Sequence, residues 1–132
     1  MYEILVPVDE EDRASAQVES LLGLPFDEST IRVVLFHVFT DNPEGASALQ
    51  TEAVHAALDL LEETRFDVTV DEASGDPSTE IVAEAERRDV DLILLAGRKR
   101  SPAGKALFGS VTQSVILDTD RSVVVCGSRK QK

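Results

Sequence analysis

The chain has 132 residues, 42% of them hydrophobic, which is enough for one domain with a buried core and too few for a second. Twenty-five acidic against thirteen basic side chains give a net charge of −12, which excludes a general nucleic-acid binder. No apolar run approaches the roughly 20 residues of a membrane span, and the single cysteine, Cys126, excludes a disulfide framework or a multi-cysteine zinc site.

The N-terminus, Met-Tyr-Glu-Ile-Leu-Val, has no basic region or cleavage site, so a cytoplasmic protein is expected. Residues 3–8 form a short apolar run that reads as a buried strand ending at Pro7 and Asp9. Ala14, Val18, Leu21 and Leu22 then recur at helical spacing over 13–22, with Asp12 as the expected N-cap and Gly23 as the stop. Residues 31–39 are β-branched and aromatic, a second strand. Ala48, Leu49, Ala53, Ala56, Ala57, Leu60 and Leu61 mark an amphipathic helix over 47–64. Phe66, Val68 and Val70 alternate over 66–72, a third strand with one polar face. Asp76 and Pro77 suit the cap and first position of a helix that ends at Arg87-Arg88. Residues 91–96 predict a buried fourth strand, 110–118 a helix, and 122–126 a fifth strand.

The resulting order, βαβαβαβαβ, predicts an α/β fold: a five-stranded parallel sheet, Rossmann-like, with helices on both faces. Strands 1, 2, 4 and 5 are continuously apolar, as strands covered on both sides should be. Ligands of such sheets bind beyond the carboxyl ends of the strands, where the strand order reverses. That rim would hold Asp9, residues 38–40 and residues 97–110.

Charge singles out the same rim. Residues 1–96 carry 5 basic and 23 acidic side chains, whereas residues 97–132 carry 8 basic and 2 acidic. Arg98, Lys99, Arg100 and Lys105 fall together in the segment from Gly97 to Ser110, which leaves a strand and enters a helix. A small anion fits there, because glycines admit a phosphate and helix N-terminal amides donate to it. The plainer alternative is that Gly97 ends the strand and Ser110 caps the helix. A P-loop is excluded, since Ala106 stands where Ser or Thr would hold magnesium, and a G-x-G-x-x-G fingerprint is absent.

Three stretches resemble the universal stress protein family: Ile4-Leu5-Val6-Pro7-Val8-Asp9; Gly75-Asp76-Pro77 through Asp91–Gly97; and Gly109–Val115 with the terminal Ser122–Cys126 strand. The resemblance implies an adenine-nucleotide-alpha-hydrolase-like sheet, a homodimer, and a site for ATP, AMP or a related adenine nucleotide, whose phosphates could bring Mg. By resemblance Asp9 faces the adenosine and Val38 meets the base. Gly97, Gly109, Ser110 and Val111 hold ribose and phosphates. Pro7, Val8 and Ala96 adjoin these positions, and Arg98 and Arg100 supply charge. The family pattern G-x2-G-x9-G-[ST] is altered here: Arg100 replaces its second glycine, and the loop is one residue shorter. An interaction module that keeps at most an anion at Gly109-Ser110 is therefore the alternative function.

Elsewhere the chemistry is sparse. His37 is expected to pack near the rim and His55 to lie on a solvated helix face, with no Ser or Cys partner for a triad. Slow ATP hydrolysis is the most that the residues suggest. A phospho-accepting receiver built on Asp9 and Asp71 would need a Lys at the end of strand 5, where Cys126-Gly127-Ser128 stands. Val123, Val124 and Val125 would make an apolar sheet edge open to a second copy, unless the basic tail covers it. The carboxylate-rich, lysine-poor composition is that of a protein kept soluble in concentrated salt.

Overall fold

The computed structural model describes residues 1–40, 51–97 and 109–127. Its elements follow the expected order: β1 (Tyr2–Pro7), α1 (Glu11–Leu22), a 3-10 turn (Glu28–Thr30), β2 (Ile31–Phe39), α2 (Glu52–Leu61), β3 (Asp67–Ser74), α3 (Pro77–Arg88), β4 (Leu92–Ala96), α4 (Ser110–Asp118) and β5 (Ser122–Cys126). The five strands are all parallel, in the order β3-β2-β1-β4-β5.

Alternation along the inner strands divides the core in two. Ile4 and Val6 of β1, Val33 and Leu35 of β2, and Leu92 and Leu94 of β4 bury against α1 and α2. Leu5, Val34, Phe36, Ile93 and Leu95 point the other way, against Ile81 and Ala85 of α3 and Val115 of α4. Burying both faces explains why these strands read as continuous apolar runs. Strand β5 departs from that expectation: Val123, Val124 and Val125 are only half-buried, because β5 is an edge with one neighbour.

Helix ends differ from the sequence expectations in instructive ways. Helix α1 begins at Glu11, with Glu10 at the cap position and no side-chain cap, so Asp12 lies inside the first turn. There Glu11 and Asp12 favour the positive end of the helix dipole. Thr51 accepts from the Val54 amide and starts α2 at Glu52; residues 47–50 of the expected helix lie outside the described residues, and α2 ends at Leu61 rather than at residue 64. Its end is marked by Thr64, whose N–H and Oγ1 both donate to the Leu61 carbonyl. Strand β3 runs on to Ser74, because β2 is long enough to pair with it through Phe39. Asp76 and Pro77 take the cap and first-turn positions expected for α3.

An ion cluster ties α3 to the sheet. Buried Glu84 pairs with Arg87 and Arg88; Arg88 also reaches Asp71 at 2.8 Å and Glu3 at 3.6 Å. Asp71 thus anchors α3 to the sheet through Arg88, in keeping with the rejection of a phospho-accepting role for it.

Candidate functional site

Beyond the carboxyl ends of β1, β2 and β4 lies a cavity of about 490 Å³. It sits where the strand order reverses on either side of β1, the position at which open parallel sheets leave a crevice. Buried Phe36, Leu95 and Ile81 give it apolar walls, and Asp9, Arg13, His37 and Ser110 bring polar groups.

The first wall is the turn after β1. The Val8 amide donates to the Phe36 carbonyl at 2.9 Å, which keeps the chain beside β2 one residue past the strand. Asp9 follows at the rim. Its Oδ1 accepts from the Glu10 amide at 2.8 Å, and its carboxylate takes both Nε and Nη2 of Arg13, the latter at 2.9 Å. The hydrogen bond that Arg13 donates to Asp9 is the main reason its guanidinium is held above its ordinary pKa; partial burial opposes it, and the charges of Asp9 and Glu10 assist. Asp9 is thus neither a helix cap nor a lone acid, and Arg13 neutralises it at the cavity mouth.

The second wall is the end of β2. The Val8 carbonyl can only accept, so His37 donates to it from Nδ1 at 2.9 Å and is the Nδ1-protonated tautomer when neutral. Its ring meets Phe39 edge-on, centroids 4.6 Å apart. Val38 and Thr40 complete this wall.

The third wall joins β4 to α4. The Gly97 amide donates to the Cys126 carbonyl at 2.8 Å, and a Cβ on Gly97 would stand 2.8 Å from that same oxygen. Only glycine fits so close an approach without a shift of backbone. Gly109 is the N-cap of α4, in extended conformation and without a side-chain cap. Ser110 is therefore the first helical residue, which sets aside the alternative in which it caps the helix. The opening amides of α4 have no partner within their own helix and lie at the positive end of its dipole. Thr112 fixes this start to the sheet by donating from Oγ1 to the Ala96 carbonyl at 3.1 Å.

Pro7, Val8, Asp9, Val38, Ala96, Gly97, Gly109, Ser110 and Val111 all line this cavity. Arg98 and Arg100, with Lys99 and Lys105, lie outside the described residues, as does the basic tail. Among the described residues no three His, Cys, Asp or Glu side chains gather as a metal site. Arg13, Phe36, Pro77, Ile81, Leu95 and Thr112 also line the cavity and were not placed at the rim from the sequence. Arg13 had a legible signal, standing four residues after Asp9 on a helix. The others are placed by tertiary packing alone. His55 is exposed and Cys126 buried, as expected.

The model of the universal stress protein family matches residues 1–127. The chain belongs to the universal stress protein family. Solved relatives share the fold. A universal stress protein from Archaeoglobus fulgidus is 25% identical, with a TM-score of 0.74, over 96% of this chain and 98% of that one. An Arabidopsis thaliana family protein with AMP bound is 15% identical, with a TM-score of 0.74, over 98% and 93%. An A. fulgidus universal stress protein in complex with dAMP is 20% identical, with a TM-score of 0.67, over 96% and 98%. The stress response protein NhaX of Bacillus subtilis is 30% identical over 74 residues, 56% of this chain. That match spans 45% of the length of NhaX. No helix among the described residues is long and apolar enough to cross a membrane.

Proposed function

We propose that this universal stress protein binds an adenine nucleotide, ATP or AMP, in the cavity between β1, β2 and α4, and acts in stress regulation through the bound state. The observation that carries the reading is the convergence of Asp9, Val38 and the Gly109-Ser110 helix start on one cavity of about 490 Å³. That volume lies within the roughly 300–1,000 Å³ of small-molecule sites. Three walls then divide the ligand. Apolar Val8 and Val38 suit a base. Asp9, its carboxylate oriented by Arg13, suits the hydroxyls of a ribose. The amides at the start of α4, without partners in their own helix, suit phosphate. Relatives of the same fold hold AMP and dAMP, and another holds cAMP. Magnesium would arrive with the phosphates, since the described residues offer no cage of their own.

The experiment is calorimetry with ATP and AMP on the native protein and on Gly109→Val, which places a branched side chain where phosphate would approach. Binding by the native chain and its loss in the variant, with the thermal transition retained, is the expected result. Equal affinities would move the site elsewhere. No binding by either protein would favour an interaction module without nucleotide.

The dimer belongs to the same proposal. Strand β5 is an edge, half-buried and apolar, whereas the opposite edge, β3, carries Asp67, Asp71 and Glu72. An apolar edge free of charge and proline favours pairing with its own copy about a two-fold axis. The excess of carboxylates suits a salt-rich cytoplasm, where screening removes their mutual repulsion.

A further inference from the structure

Strand β1 is paired unequally with its neighbours. Against β2 the register runs from Tyr2↔Ile31 to Pro7↔Phe36. Against β4 it holds only Ile4↔Leu92 and Leu5↔Ile93, although β4 stays paired with β5 to Ala96↔Cys126. The sheet therefore opens between β1 and β4 beyond Leu5 and Ile93, directly beneath the cavity. The Val8 amide turns to β2, so the carbonyl of Pro7 faces the opening, and Pro7 has no N–H to offer in return.

Gln17 of α1 fills that opening with an amide. Its side chain is fully buried, on a helix face whose other buried residues are Ala14, Val18 and Leu21. Nε2 donates to the Pro7 carbonyl at 2.7 Å and to the Leu94 carbonyl at 3.0 Å, one proton to each strand. Oε1 is buried and has no hydrogen-bond partner among the described residues. An apolar residue would avoid that unsatisfied acceptor, which is destabilising in a core. It would also leave the Pro7 and Leu94 carbonyls without this donor, so the amide matters here for the bond it makes to each strand.

We propose that Gln17 is a positioning residue that props β1 and β4 apart at their carboxyl ends. One of its donors takes the Leu94 carbonyl in place of the N–H that Pro7 lacks, the other takes the Pro7 carbonyl, and together they hold the Val8 and Leu95–Gly97 walls at the spacing that leaves a cavity. The role rests on the nucleotide reading only for what the cavity holds; the spacing of the strands is independent of it.

Gln17→Met keeps the side-chain length and removes both donors. In the variant, amide hydrogen exchange should quicken by about tenfold or more in residues 4–8 and 92–97, while the β2–β3 pairing over 33–36 keeps its native protection. AMP affinity should fall by about fivefold or more, since a loosened wall misplaces the ligand. Unchanged exchange, or a uniform rise across the sheet, would overturn the proposal. In the unmodified protein the Gln17 side-chain amide protons should exchange with water as slowly as the β1 backbone, and exchange at the rate of an exposed amide would overturn it even if the variant fails to fold. A native chain that binds no AMP would count against the nucleotide reading alone, leaving the exchange pattern to judge Gln17.

Discussion

Three donors converge on Oδ2 of Asp76: the Thr79 amide at 3.1 Å, the Thr79 hydroxyl at 2.8 Å and the Ser78 hydroxyl at 2.9 Å. These bonds, from Thr79 first, hold the Asp76 carboxyl below its ordinary pKa. Asp71 is lowered too: partial burial opposes the shift, but the Arg88 hydrogen bond, the Glu72 amide and the charges of Arg88 and Arg87 outweigh it. Both carboxylates bind a proton less readily folded than unfolded. Their stabilisation is therefore complete above the ordinary carboxylate pKa of about 3.9 and is lost as the pH falls through the lowered folded values. Asp76→Asn keeps an acceptor for the Thr79 amide but cannot titrate. Urea denaturation should find its stability near native at neutral pH, with a shallower fall below about pH 4. Parallel curves for the two proteins would contradict this. Asp76 was legible because capping is local chemistry. The pairing of Asp71 with Arg88 was not, since it spans 17 residues and depends on where α3 crosses the sheet. Gln17 was hidden for the same reason: its partners lie 10 and 77 residues away.

At the scale of elements, strands were read well where burial on both faces makes them apolar runs, and β5 matches its predicted bounds. Helix limits were read less well. Periodicity extended α2 to residue 64, whereas Thr64 folds back on the Leu61 carbonyl and ends the helix earlier. The edge strand carries the dimer prediction. The Cys126 carbonyl accepts from Gly97, the residue after β4, so the peptide groups of Val124 also face β4 and those of Val123 and Val125 face outward. Val123→Pro removes an outward donor without touching the inner ladder. Light scattering should show a native dimer at tens of micromolar and a shift toward monomer in the variant. A native monomer at that concentration would reject self-pairing at β5.

At the scale of the molecule, the parallel topology is what makes a site. Reversal of strand order about β1 leaves a crevice, and the turns after β1, β2 and β4 bring residues from distant parts of the chain to it. The rim was legible because alternation of strands and helices dictates which loops share an end of the sheet. The cavity's apolar lining, Phe36, Leu95 and Ile81, was not legible as lining, since these residues look like any other core. The basic segment that drew attention in the sequence lies outside the described residues, so the nucleotide reading rests on the walls around it. Titration of the isotope-labelled protein with AMP, followed by backbone amide NMR, tests that reading most directly. The account predicts saturable shifts centred on Val8, Asp9, Val38, Gly97 and the Gly109–Thr112 amides, with β3 and the exposed face of α2 unmoved. Shifts absent at millimolar AMP, or centred away from this rim, would contradict it.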